Sequence, residues 1–224
     1  MTDRNPAGGK KEHRSTMEKK DNIVYQLHEK YYLNITNQCP CSCSFCIRKN
    51  GKNVGTGDNL WLSHQPALSE ILEAVDASGI SEGEEVIFCG YGEPTCALEE
   101  LKETARYLKS RYHALIRVNT NGLGSLIHGR DIVPELKGLV DQVSISLNAS
   151  DRVRYQEIVH SRYGEESFDE MLKFAAECRK EEIGVCFTVV DVIGEEEIWK
   201  CRSIAEELQI PFRVRTYIKN NDTY

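Results

Sequence analysis

The sequence lacks the features that mark a membrane protein, a secreted protein or a general nucleic-acid-binding protein. Its 224 residues contain no run of eighteen apolar residues, so we expect no membrane-spanning segment. Residues 1–20 are charged and contain no apolar core, so we expect no secretory signal. The net charge of −7 argues against broad electrostatic attraction to nucleic acid.

The sequence also lacks paired histidines, because its six histidines are scattered and none pairs at the spacing of metal ligands. Cysteine, in contrast, is plentiful. Four of the nine cysteines fall between Cys39 and Cys46, on a short polar loop after a β-prone run. Nine cysteines in a chain without a secretory signal indicate a reducing compartment, the cytoplasm, rather than a disulfide scaffold.

The spacing of the clustered cysteines favours an iron–sulfur site. Cys39, Cys43 and Cys46 can bind three irons of a 4Fe–4S cubane and leave the fourth iron open to an exogenous molecule. Zinc is a weaker alternative, because it usually needs two separated cysteine pairs or added histidine. Cys41 offers a second register, but only the set with Cys39 has the x3–x2 spacing, so we expect Cys41 to be a bystander.

Apolar, β-prone runs alternate with helical segments through the rest of the chain. This alternation predicts an α/β fold whose parallel sheet has right-handed crossovers, and both an open doubly wound sheet and an incomplete β/α barrel fit it. We expect residues 1–20 to be a disordered tail and residues 21–224 to form one domain. An apolar run at 23–27 predicts a hairpin with the first strand or a preceding arm. The six predicted strands are 31–35, 85–90, 115–120, 141–147, 184–192 and 211–218.

Capping signals indicate where several helices begin. Ser63 before Pro66 predicts one N-terminus, Thr95 predicts a second, and Ser167 with Glu170 in capping-box spacing predicts a third. The segment 123–138 is interrupted by glycines and a proline, so its helix is expected to be short or to begin late.

The cysteine motif C-x3-C-x2-C, with Phe45 before its last cysteine, resembles the signature of the radical S-adenosylmethionine (radical SAM) enzymes. The longer run YYLNITNQCPCSCSFCIRKNG resembles the TatD-associated radical SAM proteins, a group named for a gene neighbour. The resemblance implies a partial (β/α)6 TIM-like barrel with a 4Fe–4S cluster on Cys39, Cys43 and Cys46. It also implies S-adenosylmethionine as a second cofactor, with Ser44 and Phe45 beside it.

The end of the second strand extends this resemblance. Gly90-Tyr91-Gly92-Glu93-Pro94 resembles the family's GGEP motif, whose backbone and acidic residue engage the methionine amino group. Tyr91 stands where the motif usually has its second glycine. A plain strand-to-helix turn also accounts for the glycines and the proline, but it does not account for the carboxylate.

Two further strand ends carry polar residues. Asn119 and Asn121 resemble the family's motif that contacts the ribose or the carboxylate of the cofactor, although Asn-Gly is also an ordinary turn signal. Ser144, Ser146 and Asn148 lie two residues apart on one face of the fourth strand. That pattern predicts contact with a polar ligand or with buried water.

Basic residues near the predicted site admit two interpretations. Arg48, Lys49 and Lys52 could contact an anionic substrate, but we expect them to be solvated surface residues. Arg213 and Arg215 share one face of the last strand, where they bind an anion if that face points inward or contact solvent if it points outward.

The family resemblance implies an enzyme that reductively cleaves S-adenosylmethionine to a 5′-deoxyadenosyl radical, which abstracts hydrogen from an unidentified substrate. It also implies an electron donor such as flavodoxin or ferredoxin. Glycyl-radical activation and modification of a small anion both stay open within the superfamily. The alternative outside it is an iron–sulfur redox sensor or electron carrier, which would not need polar strand ends.

Overall fold

The computed structural model describes residues 21–50, 53–54 and 58–217. The predicted disordered tail, residues 1–20, lies outside the described residues, as does the end of the last predicted strand. In the described part of the chain, no helix combines the length and the apolar character needed to cross a membrane.

A β-hairpin opens the fold. Strand β1 (Val24–Leu27) pairs antiparallel with β2 (Lys30–Leu33). The two turn residues, His28 and Glu29, both have positive φ angles, 49° and 60°, as a type I′ hairpin turn requires. The hairpin interpretation of residues 23–35 is therefore confirmed, although the turn uses no glycine or asparagine.

Five more strands continue the sheet from β2. Two very short strands, β3 (Asn53–Val54) and β4 (Asp58–Asn59), pair only with each other. The strands of the main sheet are β5 (Glu85–Phe88), β6 (Leu115–Thr120), β7 (Gln142–Ser146), β8 (Gly184–Val190) and β9 (Phe212–Arg215). The main sheet has the order β1-β2-β5-β6-β7-β8-β9, and every neighbouring pair from β2 onward is parallel.

This strand order distinguishes the two predicted arrangements. Each crossover moves one strand further in the same direction, so the order never reverses as it does in a doubly wound sheet. Right-handed crossovers without a reversal place all the helices on one side of the sheet. The fold is therefore a partial barrel of six parallel strands, as the family resemblance implied.

Seven helices are described between the strands. They are α1 (Leu68–Asp76), α2 (Leu98–Tyr112), α3 (Gly124–His128), α4 (Val133–Leu136), α5 (Arg152–Val159), α6 (Glu166–Lys180) and α7 (Glu195–Glu207). The two short helices α3 and α4 occupy the segment where a short helix was expected. Helix α5 begins after Asp151, whose side chain accepts a hydrogen bond from the Arg154 N–H at 2.9 Å and caps the N-terminus.

The predicted caps of the other helices were wrong. Helix α1 begins at Leu68, and Ser63 bonds to Asp21 instead. Ser167 lies inside α6, where its hydroxyl group donates to Ser161 Oγ at 2.7 Å. Thr95 lies in a 3-10 turn, Pro94–Ala97, before α2. In each case a tertiary hydrogen bond or an extra turn moved the start of the helix away from the residue with the capping signal.

The two faces of the sheet differ in character. One face packs on the helices through buried residues such as Val118, Ile145 and Phe187, which form one core with Leu101 and Met171. The strand register places the alternate residues on the opposite, concave face, which we call the inner face. Its polar members are Lys30, Tyr32, Glu85, Arg117, Asn119, Gln142, Ser144, Ser146, Cys186, Thr188, Arg213 and Arg215.

Candidate active site

The cysteine loop, residues 34–46, follows the carboxyl end of β2 and is anchored to the end of α5. The Ser42 N–H donates to the Val159 carbonyl oxygen at 3.1 Å, and the Ser44 N–H donates to that of Ile158 at 2.9 Å. The last carbonyl groups of a helix have no partner within the helix, so the loop satisfies them. An isolated antiparallel β-bridge between the backbones of Cys41 and Ser161 extends the contact. The loop is thereby held at the carboxyl edge of the sheet.

The thiols of Cys39, Cys43 and Cys46 lie half-buried in this loop. Burial, together with the neighbouring Cys46 and Cys39 thiolates, raises the pKa of Cys43 to about 12, so the three sulfur atoms lie within electrostatic range of one another. No group of three or more His, Cys, Asp or Glu side chains among the described residues could hold a single metal ion. In a cubane, each of the three thiolates binds a different iron, so the ligands are spaced more widely than around one ion.

Cys41 lies beside Cys39. A hydrogen bond between the two thiols lowers the pKa of Cys39 and, together with burial, raises that of Cys41. The Asn121 amide nitrogen lies 3.6 Å from Cys41 Sγ and 4.0 Å from Cys39 Sγ. Cys41 is buried, and of the two thiols Cys39 is the one that forms a thiolate more readily.

Arg48 contacts the cysteine loop and is not merely the solvated surface residue that we predicted. Its Nε lies 3.3 Å from Cys46 Sγ, and its two terminal nitrogens donate to the carbonyl oxygens of Asn37 at 3.4 Å and Cys41 at 3.1 Å. The Arg48 guanidinium group therefore links two backbone positions of the cysteine loop, Asn37 and Cys41, to the Cys46 thiol. Lys49 also contacts the loop, through the Ser42 carbonyl oxygen at 3.1 Å, and Lys52 lies outside the described residues.

The glycines after β5 allow close contact with the cysteine loop. A Cβ atom on Gly92 would collide with the backbone carbonyl of Thr36 and would lie 2.8 Å from that of Gln38. A Cβ atom on Gly90 would collide with the Asn34 side chain. The Glu93 N–H also donates to the Gln38 carbonyl oxygen at 2.7 Å. Position 92 needs glycine because the backbones of two strand ends meet there, and position 90 needs it because the Asn34 side chain fills the space.

Glu93 is buried, at 4% exposure, and its carboxylate contacts other protein groups. Oε1 accepts hydrogen bonds from the hydroxyl groups of Thr120 at 2.6 Å and Thr95 at 2.8 Å, and Oε2 accepts one from the Asn121 N–H at 2.8 Å. Burial raises the pKa of Glu93, although these hydrogen bonds act in the opposite direction. Glu93 thus joins the end of β5 to the end of β6 and fixes the backbone of Asn121.

Tyr91, in the place of the usual glycine, packs into an aromatic cluster. Its ring meets that of Trp61 edge-on at a centroid distance of 5.2 Å, and it shares a small core with Tyr25 and Leu60. Burial raises the pKa of Tyr91, and so does the charge of Cys46. Ile47, the residue after Cys46, packs against the same cluster. The substitution of tyrosine for glycine therefore adds an apolar wall beside the cysteine loop.

The strand-end amides provide unsatisfied hydrogen-bond acceptors. The Oδ1 atoms of Asn119 and Asn148 are buried and, among the described residues, accept no hydrogen bond. Asn148 also has a positive φ angle of 57°, which is uncommon for a residue other than glycine. Ser146 is half-buried on the inner face, Ser44 is exposed, and Phe45 packs against the core. Buried amide oxygens of this kind fit a polar ligand that brings N–H or O–H donors.

The sequence analysis did not identify Arg117 as a residue of the site. It is buried in the middle of β6, on the inner face below Asn119. The available signal was the alternation of polar and apolar residues in that strand, where Arg117 and Asn119 lie two residues apart. The structure also resolves the choice for the last strand, because Arg213 pairs in register with Thr188 and its side chain bonds Ser144 at 3.4 Å on the inner face.

Comparison with known proteins agrees with this arrangement. The family model "Radical SAM superfamily" matches residues 33–208, so the chain belongs to the radical SAM superfamily. The enzymes of this superfamily use a 4Fe–4S cluster together with S-adenosylmethionine. No curated protein sequence matches the chain. The narrower resemblance to the TatD-associated group stays a prediction.

Several solved structures share the fold at low sequence identity. Methylornithine synthase (PylB) has a TM-score of 0.58 and 14% identity, over 84% of this chain and 53% of its own. The anSMEcpe enzyme with bound AdoMet has a TM-score of 0.60 and 15% identity, over 84% and 51%. TsrM from Kitasatospora setae, with cobalamin and a [4Fe-4S] cluster bound, has a TM-score of 0.52 and 14% identity, over 79% and 35%. The chain thus spans about half the length of the first two structures.

Proposed function

We propose that this chain is a radical SAM enzyme whose 4Fe–4S cluster is held by Cys39, Cys43 and Cys46. When bound and reduced, such a cluster supplies the electron that cleaves S-adenosylmethionine to methionine and a 5′-deoxyadenosyl radical, which then takes hydrogen from a substrate. The main support is the position of the three half-buried thiols at the carboxyl edge of a partial barrel, the edge that also carries amides whose oxygens accept no hydrogen bond from the described residues. We expect the reaction to occur in the cytoplasm, with an electron donor such as flavodoxin or ferredoxin.

The surrounding residues have separate tasks in this proposal. Arg48 holds the cysteine loop in shape and places positive charge beside the Cys46 thiolate. Asn119 and Asn148 accept hydrogen bonds from the amino or hydroxyl groups of S-adenosylmethionine, and Ser146 lies on the same face. Gly90 and Gly92 bring the next strand end against the loop.

Glu93 and Tyr91 act less directly. The carboxylate of Glu93 orients the backbone of Asn121, whose side chain reaches the cysteine thiols. Tyr91 and Trp61 exclude water from the side of Cys46. Arg48, Tyr91 and Glu93 therefore position and shield the cofactors, while the cysteines and the strand-end amides contact them.

A set of cysteine variants tests the proposal. Anaerobically reconstituted wild-type protein should contain about four irons per chain and, once reduced, should form 5′-deoxyadenosine from S-adenosylmethionine. Alanine at Cys39, Cys43 or Cys46 should abolish both properties. Cys96→Ala, a matched half-buried cysteine outside the motif, should preserve them. A stable cluster that never cleaves S-adenosylmethionine would support the electron carrier instead, and zinc without iron would refute both.

A further inference from the structure

Arg48 makes a direct contact with a thiol of the cysteine motif. Its Nε donates a hydrogen bond to Cys46 Sγ at 3.3 Å. Arg48 follows Cys46 by two positions and lies in the 3-10 turn Ile47–Asn50, where the Lys49 N–H donates to the Cys46 carbonyl oxygen at 2.9 Å. The tight turn reverses the chain, so the Arg48 side chain lies back against the loop that precedes it.

Each of the three nitrogens of the Arg48 guanidinium group has a partner in the cysteine loop. The two terminal nitrogens donate to the carbonyl oxygens of Asn37 at 3.4 Å and Cys41 at 3.1 Å, while Nε donates to Cys46. Because the group is planar and rigid, the two bonds to carbonyl oxygens fix the direction of the Nε–H bond. These contacts argue against a role for Arg48 in holding an anionic substrate.

The contact between Arg48 and Cys46 has a partly apolar environment. Both residues are half-buried, and Ile47, which lies between them in the chain, packs against the small core that contains Tyr91 and Leu60. A lower local dielectric strengthens the attraction between a guanidinium group and a thiolate relative to water. The charge of Arg48 therefore acts on the Cys46 sulfur with less screening than an exposed charge would.

We infer that Arg48 raises the reduction potential of the 4Fe–4S cluster through its hydrogen bond to Cys46 Sγ. This role rests on the proposed function, which assigns Cys46 as a cluster ligand. Reduction adds one electron from the donor, and hence one negative charge, to the cluster, and no bond forms or breaks. A cationic N–H donor on a ligand sulfur stabilises the more negative, reduced state. Arg48 thus acts through Cys46 as a positioning residue for the electron-transfer step.

Two contacts in the same loop provide a contrast. Cys39 Sγ lies 4.0 Å from the Asn121 amide nitrogen, a longer contact with an uncharged group. Lys49 is exposed and donates to the Ser42 carbonyl oxygen at 3.1 Å, and within the described part of the chain it has no hydrogen bond to a thiol. Removing the Lys49 charge therefore tests proximity alone, whereas removing Arg48 tests the hydrogen bond to sulfur.

The test is an anaerobic redox titration of wild-type, Arg48→Gln and Lys49→Gln holoenzyme, followed by electron paramagnetic resonance of the reduced cluster. The midpoint potential does not depend on how many chains retain a cluster, so partial loss of iron does not affect it. At a fixed solution potential, the ratio of reduced to oxidised cluster should fall at least about tenfold in Arg48→Gln, which corresponds to about 59 mV for one electron. In Lys49→Gln it should change less than about twofold, because an exposed charge is screened.

A second measurement uses the wild-type holoenzyme, so it decides the matter even if Arg48→Gln retains no cluster. Arginine is labelled at Nε with a heavy nitrogen isotope, and the coupling of that nitrogen to the reduced cluster is measured by pulsed electron paramagnetic resonance. We expect a coupling from one arginine in wild type and in Lys49→Gln. Its absence in wild type would overturn the inference, as would equal midpoint potentials of Arg48→Gln and wild type or equal shifts in the two variants.

The same samples separate this inference from the proposed function. Formation of 5′-deoxyadenosine from S-adenosylmethionine is measured in the wild-type and Lys49→Gln samples. A cluster whose potential depends on Arg48 but that never cleaves S-adenosylmethionine would refute the proposed function and leave the role of Arg48 standing. Cleavage by the wild type, with a potential that Arg48→Gln does not change, would refute the role of Arg48 alone.

Discussion

Replacing Glu93 tests whether its main contacts are with the protein, as the hydrogen bonds indicate. In Glu93→Ala, the hydroxyl group and the N–H of Thr95, the Thr120 hydroxyl group and the Asn121 N–H all lose their buried acceptor. A buried donor without a partner costs about 1–3 kcal/mol. The two hydroxyl groups can rotate toward other acceptors, but the two backbone amides cannot. We therefore expect the free energy of unfolding to fall by about 2–6 kcal/mol.

Glu93→Gln is the matched control for this prediction. The glutamine carbonyl oxygen can accept from the Asn121 N–H, while its NH2 group donates to the threonine hydroxyl oxygens, so only the Thr95 N–H, 3.2 Å from Oε1, loses its acceptor. We expect this variant to lose about 1–3 kcal/mol of unfolding free energy, less than the alanine variant. The measurement is anaerobic urea unfolding of both variants and the wild type.

A second measurement on the same variants separates the two possible roles of Glu93. Hydrogen exchange at the Asn121 amide should accelerate in Glu93→Ala and stay slow in Glu93→Gln, because only the alanine removes the acceptor. An alanine variant with wild-type unfolding free energy but weakened S-adenosylmethionine binding would refute the reasoning. That result would place the carboxylate on the cofactor instead.

The remaining predictions concern the cysteine loop and the charge of Glu93. Cys41→Ala should preserve iron content and S-adenosylmethionine cleavage; loss of iron in this variant, with retention in Cys39→Ala, would show that the ligand register is wrong. Arg48→Gln should lower iron retention under a chelator, because three contacts that brace the loop are lost, and retention equal to wild type would contradict that role. Because the folded-state pKa of Glu93 is raised, its contribution to stability is complete below the unfolded pKa and is lost as the pH rises through the folded value. The unfolding free energy of Glu93→Gln, measured with urea, should therefore increase relative to that of wild type as the pH rises above the unfolded pKa of 4.5. A difference that does not change with pH would contradict the raised pKa.

The strands and the cysteine motif were predictable because local patterns encode them. The run 115–120 matches β6 exactly at both ends, and the six β units form the parallel sheet that alternation with helices predicts. The choice of a partial barrel over a doubly wound sheet depended on strand order, which no local pattern contains. The family resemblance supplied that choice, and the sheet order agrees with it.

The contacts that shape the site could not be predicted, because they join residues that are distant in sequence. Glu93 meets Thr120 across 27 positions, and the Ser42 N–H finds its acceptor at the end of α5. Arg48 follows the cysteine motif closely, but its role depends on the loop folding back toward Asn37. Arg117 was overlooked because its alternation with Asn119 does not tell which face of the sheet the two residues occupy, and only the register shows that.

The most direct test of the central claim is the product of a single reductive turnover. Wild-type protein with a full cluster is reduced anaerobically and mixed with S-adenosylmethionine, and methionine and 5′-deoxyadenosine are then quantified. Cleavage by one electron predicts equal amounts of the two products, and neither should form without the reductant. A cluster that accepts and returns electrons while S-adenosylmethionine stays intact would contradict the claim that this chain is a radical SAM enzyme.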